Sequence, residues 1–202
     1  MSKINVFAAI LVLFVALAPE GVKADLTEAS PTAPARRPIA NGNRDQEADR
    51  RLFAAFRATQ RSLGQAMEIA EKLHDGSRTA DISFEAAGKP TYRVRTVKND
   101  QVWENVIDAN TGRIADKEVA SSFKELDRDD LGNIIALRSV RQELADAVRV
   151  AESAASGKAL GGGLLKEDSH LSFVVLVLSG DRLKEVTLQP PKVGQGSGYR
   201  VR

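Results

Sequence analysis

Residues 62–76 read SLGQAMEIAEKLHDG and residues 143–157 read ELADAVRVAESAASG, and the gapless alignment of these two stretches decides the fold. In the first, Leu63, Ala66, Met67, Ala70 and Leu73 recur at the three- and four-residue spacing that gathers them on one face of a helix. Ser62 and Gln65 have the spacing of a capping box, and Gly76 can end the run in a left-handed conformation. A shift of 81 residues sets Leu144 on Leu63, Ala147 on Ala66, Val150 on Ile69, Ala151-Glu152 on Ala70-Glu71 and Gly157 on Gly76.

Beyond Gly76 the hydrophobic period changes from helical to alternating. Ile82 and Phe84, then Tyr92, Val94 and Thr96 between Arg93 and Arg95, predict two strands joined at Gly88-Lys89-Pro90. Asn99-Asp100 turns the chain into a third strand, Gln101 to Asp108, which Asn110-Thr111-Gly112 closes. The same shift carries Tyr92 to Phe173, Val94 to Val175, Val102 to Leu183 and Ile107 to Leu188. The expected class is therefore α+β, with two repeated units, each a helix packed on a three-stranded antiparallel meander. Each copy has its own apolar face, so the two are expected to fold separately.

Working outward, residues 1–24 have the parts of a cleaved signal peptide: Lys3 in a short leader, an apolar run from Val6 to Ala18, and a helix break at Pro19-Glu20-Gly21. That run is too short for the roughly 20 residues that span a bilayer, so no stable membrane insertion is expected after cleavage. A periplasmic or secreted location follows. Residues 25–43 hold three prolines and no hydrophobic period, which predicts a disordered linker. Residues 44–117 form the first unit, opened by an amphipathic helix with Leu52, Phe53 and Phe56 on one side. Residues 118–138, with Phe123, Leu126, Leu131 and Ile135, are expected to be a connecting helix packed across the units. Residues 139–193 form the second unit, and residues 194–202 a flexible tail.

The 202 residues include 29 basic and 27 acidic ones, a near balance that gives no field toward nucleic acid. Cysteine is absent, which excludes disulfides, thiolate metal sites and cysteine nucleophiles. Neither His74 nor His170 has a metal ligand three or four residues on, and His74 suits a helix C-terminus while His170 falls in a predicted turn. Asp127, Asp129, Asp130 and Gly132 resemble a calcium loop, but Leu131 and Arg138 stand where oxygen ligands are needed, so helix-start acids explain them. Gly161-Gly162-Gly163 lacks the Lys-Ser/Thr ending of a phosphate loop and reads as a flexible turn. Asp108, before Asn110-Thr111-Gly112, is expected to hold its turn through backbone hydrogen bonds. No catalytic residue, metal site or cofactor is expected.

The runs SLGQAMEIAEKLHDG and PTYRVRTVKNDQVWENVIDANTGRI, covering about residues 62–115, resemble the PepSY domain of metallopeptidase propeptides and exported bacterial proteins. The second unit resembles a degenerate copy, with Gln189-Pro190-Pro191 where the first has Asp108-Ala109-Asn110. The resemblance implies a non-enzymatic module that binds another envelope or secreted protein, with an extracytoplasmic peptidase as one such partner. Since no His-Glu-x-x-His motif follows, a stand-alone module is expected. The alternative is a small-ligand or signal-sensing accessory subunit of an envelope receptor, with its site in a cleft between units. A hydrolase would need a nucleophile paired with a base, and the sequence offers no such pairing.

Candidate partner-binding residues are Val174, Leu176 and Leu178, because Leu171 to Leu178 is apolar on both faces of a predicted strand, and Trp103, the one tryptophan. The alternative for the strand is that the connector or the first unit covers its outer face. Val22-Lys23-Ala24 is the cleavage motif not followed by proline, so exported protein should begin at Asp25. N-terminal sequencing checks this, and a product that retains Met1 and extracts with membranes would identify an anchor instead.

Overall fold

Helix α1 (Gly42–Arg57) leads into the fold in the computed structural model, which describes residues 42–167, 170–190 and 200–201. The expected signal peptide and the linker up to residue 41 lie outside the described residues. The helix begins two residues inside the expected linker and buries Phe56 edge-on against Phe84, 5.2 Å between ring centroids. Helix α2 (Leu63–Leu73) follows, and its capping box is formed: Gln65 N donates to Ser62 Oγ at 3.2 Å and Ser62 N donates to Gln65 Oε1 at 3.0 Å. Leu63, Ala66, Met67 and Ala70 are buried, and Gly76 turns the chain at φ +75.

Strands β1 (Arg78–Glu85), β2 (Thr91–Lys98) and β3 (Gln101–Asp108) form the expected antiparallel meander. Tyr92, Val94 and Thr96 are fully buried on the side of α2, while Arg93 and Arg95 occupy the opposite face. The connector departs from expectation. It contains strand β4 (Val119–Ser122), paired with β3, then a 3-10 turn (Phe123–Glu125) and helix α3 (Arg128–Leu137). Two local caps divide it: Ser122 N donates to Glu125, and Asp127 accepts from the backbone of Asp129 and Asp130. Because the helix starts at Arg128, it buries Ile134, Ala136 and Leu137, and Ile135 is left 51% exposed.

Helix α4 (Leu144–Ala155) opens the second half, followed by β5 (Lys158–Glu167), β6 (His170–Ser179), β7 (Arg182–Gln189) and the two-residue β8 (Arg200–Val201). The starts of α2 and α4, and both ends of β3 and β7, are displaced by the 81 residues of the sequence alignment. Burial repeats with them: Ala66 and Ala147, Tyr92 and Phe173, Val94 and Val175, Thr96 and Val177, and Ile107 and Leu188 are all fully buried. His170 begins a strand where a turn was expected, and Arg200–Val201 pairs with β7 where a flexible tail was expected.

The two meanders do not stand apart. Asp81, Ile82 and Ser83 of β1 pair antiparallel with Gly163, Gly162 and Gly161 of β5, which joins all the described strands in one sheet of order β4-β3-β2-β1-β5-β6-β7-β8. The triple glycine, read as a turn, is thus the seam of the sheet. Its lack of side chains suits close backbone approach, since a Cβ on Gly161 would lie 2.8 Å from Ile82 O. Helices α2 and α4 share one face, and α3 packs on β1 and β5 from the other. One apolar cluster draws buried residues from both halves, so the two units share a core where each was expected to have its own. Arg78 fastens the α3–α4 loop, donating to Glu143 and to the carbonyls of Leu137, Val140 and Gln142.

Gly161→Ala should lower stability by about 1–3 kcal/mol, the usual cost of forcing an extra carbon into a packed site. Calorimetry on the full chain should show one transition for wild type and variant. Two resolved transitions would mean that the halves melt independently despite the seam.

Candidate functional site

His74 occupies the C-cap position of α2, where its backbone N–H bonds back to Glu71 O, and its ring lies over β3 of the first meander. Trp103, on β3, lies against it. The two rings stack with centroids 4.0 Å apart and planes 15° from parallel. Glu118, just before β4, joins the pair: its Oε2 lies 2.8 Å from His74 Nε2 and accepts from Asn105 Nδ2 at 2.9 Å. Beneath them Asn105 and Thr96 are fully buried, and Asn105 Oδ1 and Thr96 Oγ1 have no hydrogen-bond partner among the described residues. Leu73, beside His74, is 45% exposed, and Ile114, bridged to Ile107 on the same face, is 41% exposed. This edge combines a half-buried tryptophan, an imidazole–carboxylate pair and exposed apolar side chains.

Of the residues singled out in the sequence, Trp103 belongs to this edge and the others do not. Val174, Leu176 and Leu178 lie on β6, four strand positions away from β3, or roughly 19 Å at the usual strand spacing. They are 8%, 9% and 5% exposed, which favours the reading that this face is covered over the reading that it is a partner site. Helix α3 crosses that side of the sheet at β5, whose Gly163 pairs with Val174. His74 and Glu118 are distant in sequence and share no motif, so only the fold brings them together. Asp108 does hold its turn, accepting from the backbone of Asn110 at 2.9 Å and Thr111 at 2.8 Å. Those Thr111 and Asn110 N–H groups hold its carboxyl below the usual range. No group of three or more His, Cys, Asp or Glu residues suited to a metal occurs among the described residues.

A second feature lies between the halves, a cleft of about 460 Å³ where the α1–α2 link meets the start of β5. Phe56, Leu63, Tyr92 and Leu178 supply apolar walls, and Arg57, Arg61 and Lys158 are its cationic lining residues. The Tyr92 hydroxyl donates to Arg61 O at 2.7 Å, and burial pushes its pKa up.

The fold and this edge define a small α+β module. Residues 62–118 match the family described as peptidase propeptide and YPEB domain, so the chain carries a PepSY domain over that segment. The segment runs from the cap of α2 to Glu118 and so contains the whole edge site. No curated protein matches the sequence. A crystal structure from Clostridium difficile 630, described as a "putative lipoprotein", is similar at 17% identity and a TM-score of 0.39, over 71% of this chain and 95% of that one. No helix among the described residues is long and apolar enough to cross a membrane.

Thr96 offers a direct test of the packing beneath the edge, because its counterpart in the second half is Val177, equally buried. Thr96→Val removes an unpartnered hydroxyl and keeps the shape, so stability should rise by about 1 kcal/mol. A fall of that size in denaturant unfolding would show that the hydroxyl has a partner in solution.

Proposed function

We propose that this is a non-enzymatic extracytoplasmic protein that binds another envelope or secreted protein through the His74–Trp103 edge of its PepSY domain, and that a peptidase is the partner it restrains. The family supports a peptidase-related role, since its description is that of a peptidase propeptide. The observation that carries the placement is the edge itself. Exposed apolar side chains are ordinary when scattered. Here Leu73 precedes the His74 that stacks on a half-buried Trp103, Ile114 bridges Ile107 on the strand that carries Trp103, and tryptophan is among the residue types enriched at the energetic anchors of interfaces. The His74–Glu118 pair adds polar groups able to fix the orientation of a bound chain.

The cleft between the halves supports a second reading, that of a small-ligand sensor working beside a receptor. Its volume falls within the roughly 300–1,000 Å³ of ligand pockets.

Leu73→Glu with Ile114→Glu separates the two readings, because both side chains are exposed and their replacement should leave the melting temperature nearly unchanged. Wild-type protein should capture a partner from an envelope extract and reduce the peptidase activity of that extract, and the double variant should do neither. Equal capture and equal inhibition by the variant would remove the edge as the contact surface.

A further inference from the structure

With centroids 4.0 Å apart and planes 15° from parallel, the His74 imidazole covers one face of the Trp103 indole, so whatever holds His74 controls that face. Glu118 holds it. Its Oε2 lies 2.8 Å from His74 Nε2 and also accepts from Asn105 Nδ2 at 2.9 Å. An ionised carboxylate only accepts hydrogen bonds, so Nε2 carries a proton in this arrangement. The closure is also opposed. Asn105 Oδ1 and Thr96 Oγ1 are buried under the pair with no hydrogen-bond partner among the described residues, and parting the stack would bring water to them. Two arrangements are in competition.

Charge decides between them. Histidine is the side chain whose charge changes between about pH 5 and about pH 8. A second proton on the His74 ring turns its contact with Glu118 into a charge-assisted hydrogen bond and sets a cation against the indole face, where the ring quadrupole attracts it. Both changes favour the closed stack. The neighbouring charges are otherwise occupied or stand apart. On α2, Glu71 accepts from Thr79 N at 2.9 Å and Thr79 Oγ1 at 2.7 Å, and Lys72 pairs with Glu68 at 4.0 Å. Asp75 follows His74 in the chain, and Lys98 of β2 donates to Asp75 O. On β3, Trp103 and Asn105 are uncharged, and Glu104 is paired with Arg93. Asp116 and Lys117, before Glu118, are exposed. Glu118 is thus the carboxylate in contact with the ring.

We infer that His74 is an acid-operated latch on Trp103: protonated, it holds the indole closed beneath the imidazolium, and on losing that proton it lets the indole face open to a partner. The inference rests on the reading of this edge as the contact surface and gives that edge a regulation, with capture weaker in acid than in mild alkali. Once the stack parts, the imidazole and the Glu118 carboxylate remain as the polar groups that orient the bound chain.

Trp103 is the one tryptophan, so its emission in the full chain reports on this site alone. The rate constant for acrylamide quenching, taken from fluorescence lifetimes, should be lower by about twofold or more at about pH 5 than at about pH 8. His74→Phe keeps a ring in the stack but has no proton to gain, so its quenching should not change across that range. Glu118→Gln keeps an acceptor for Asn105 and removes the charge, so the pH dependence should shrink. Both side chains are partly exposed, 25% and 32%, and melting temperatures check that the variants fold. His170, the second histidine, begins β6 in the other half and is untouched in both variants, which separates its titration from that of His74. Proton NMR of the wild type needs no substitution: Overhauser contacts between the His74 and Trp103 rings should weaken as the pH is raised. The latch is overturned if wild-type quenching is equal at the two pH values or greater in acid, if the ring contacts do not change, or if a folded His74→Phe keeps the wild-type pH dependence. Partner capture from an envelope extract should be weaker at the acid pH for wild type and equally weak at both for His74→Phe. A Trp103 that opens and closes while capture stays constant would leave the latch standing and remove the edge as the contact surface, so the two failures are distinguishable.

Discussion

The pairing of Asp81, Ile82 and Ser83 with Gly163, Gly162 and Gly161 is the interaction on which the rest of the molecule depends. An antiparallel three-stranded meander with one helix is near the lower limit of what folds alone, because so little of its surface can be removed from water. Joining two meanders edge to edge covers an otherwise open strand on each side and places α2 and α4 together on one face. The price is three consecutive glycines in a strand, a composition that weakens a strand in isolation. Position explains it: Gly161 faces the backbone of Ile82, and a Cβ on Gly162 would lie 3.0 Å from Val174 O on the other side. The seam also creates the interhalf cleft.

The opposite face of the sheet is built differently in its two halves. Across β1, β2 and β3 it carries a ladder of ion pairs: Arg93 with Glu85 and Glu104, and Arg95 with Asp81 and with Asp130 of α3. Burial pushes the Arg95 guanidinium pKa down, but Asp81 and Asp130 outweigh it and hold the group above its usual range. Arg95 thus ties α3 to the sheet while neutralising two carboxylates that would otherwise repel each other. Across β6 the same face is apolar, with Val174 and Leu176 buried. One half of this face uses charge to hold its cover and the other uses hydrophobic burial. Two arginines in one strand and an apolar run in its counterpart are therefore both consistent with coverage, and neither marks a free surface.

Periodicity made the helices and meanders legible in the sequence, because apolar positions on a helix face and on one side of a strand are imposed locally. The 81-residue alignment even anticipated which residues are fully buried in both halves. Local signals failed where a tertiary contact overrides them. Three glycines are a turn signal unless another backbone must pass close by, and no feature near residues 161–163 announces β1. The connector carried helical spacing, but the caps at Ser122 and Asp127 cut it into a strand, a turn and a shorter helix with a different buried face. Trp103 was visible as a candidate anchor. Its partners were not, since His74 and Glu118 are 44 residues apart and meet only once β3 and β4 are paired.

The 81-residue correspondence between the halves also provides an internal comparison for the edge site. In the second half, the positions corresponding to His74, Trp103, Asn105 and Thr96 are Ala155, Lys184, Val186 and Val177. Lys184 Nζ donates to Ala155 O, so at the very place where the first half stacks two rings, the second caps the end of its helix with a lysine. Val186 and Val177 fill the core there with no polar atom to satisfy. The second half therefore reaches the same backbone arrangement with simpler chemistry. A structural need at the end of the helix can be met by a lysine and two valines. The imidazole, indole, carboxylate and buried amide of the first half exceed that need, and they lie within the segment that carries the PepSY family match. That surplus over the second half is the physical ground for the proposal that this edge binds a partner.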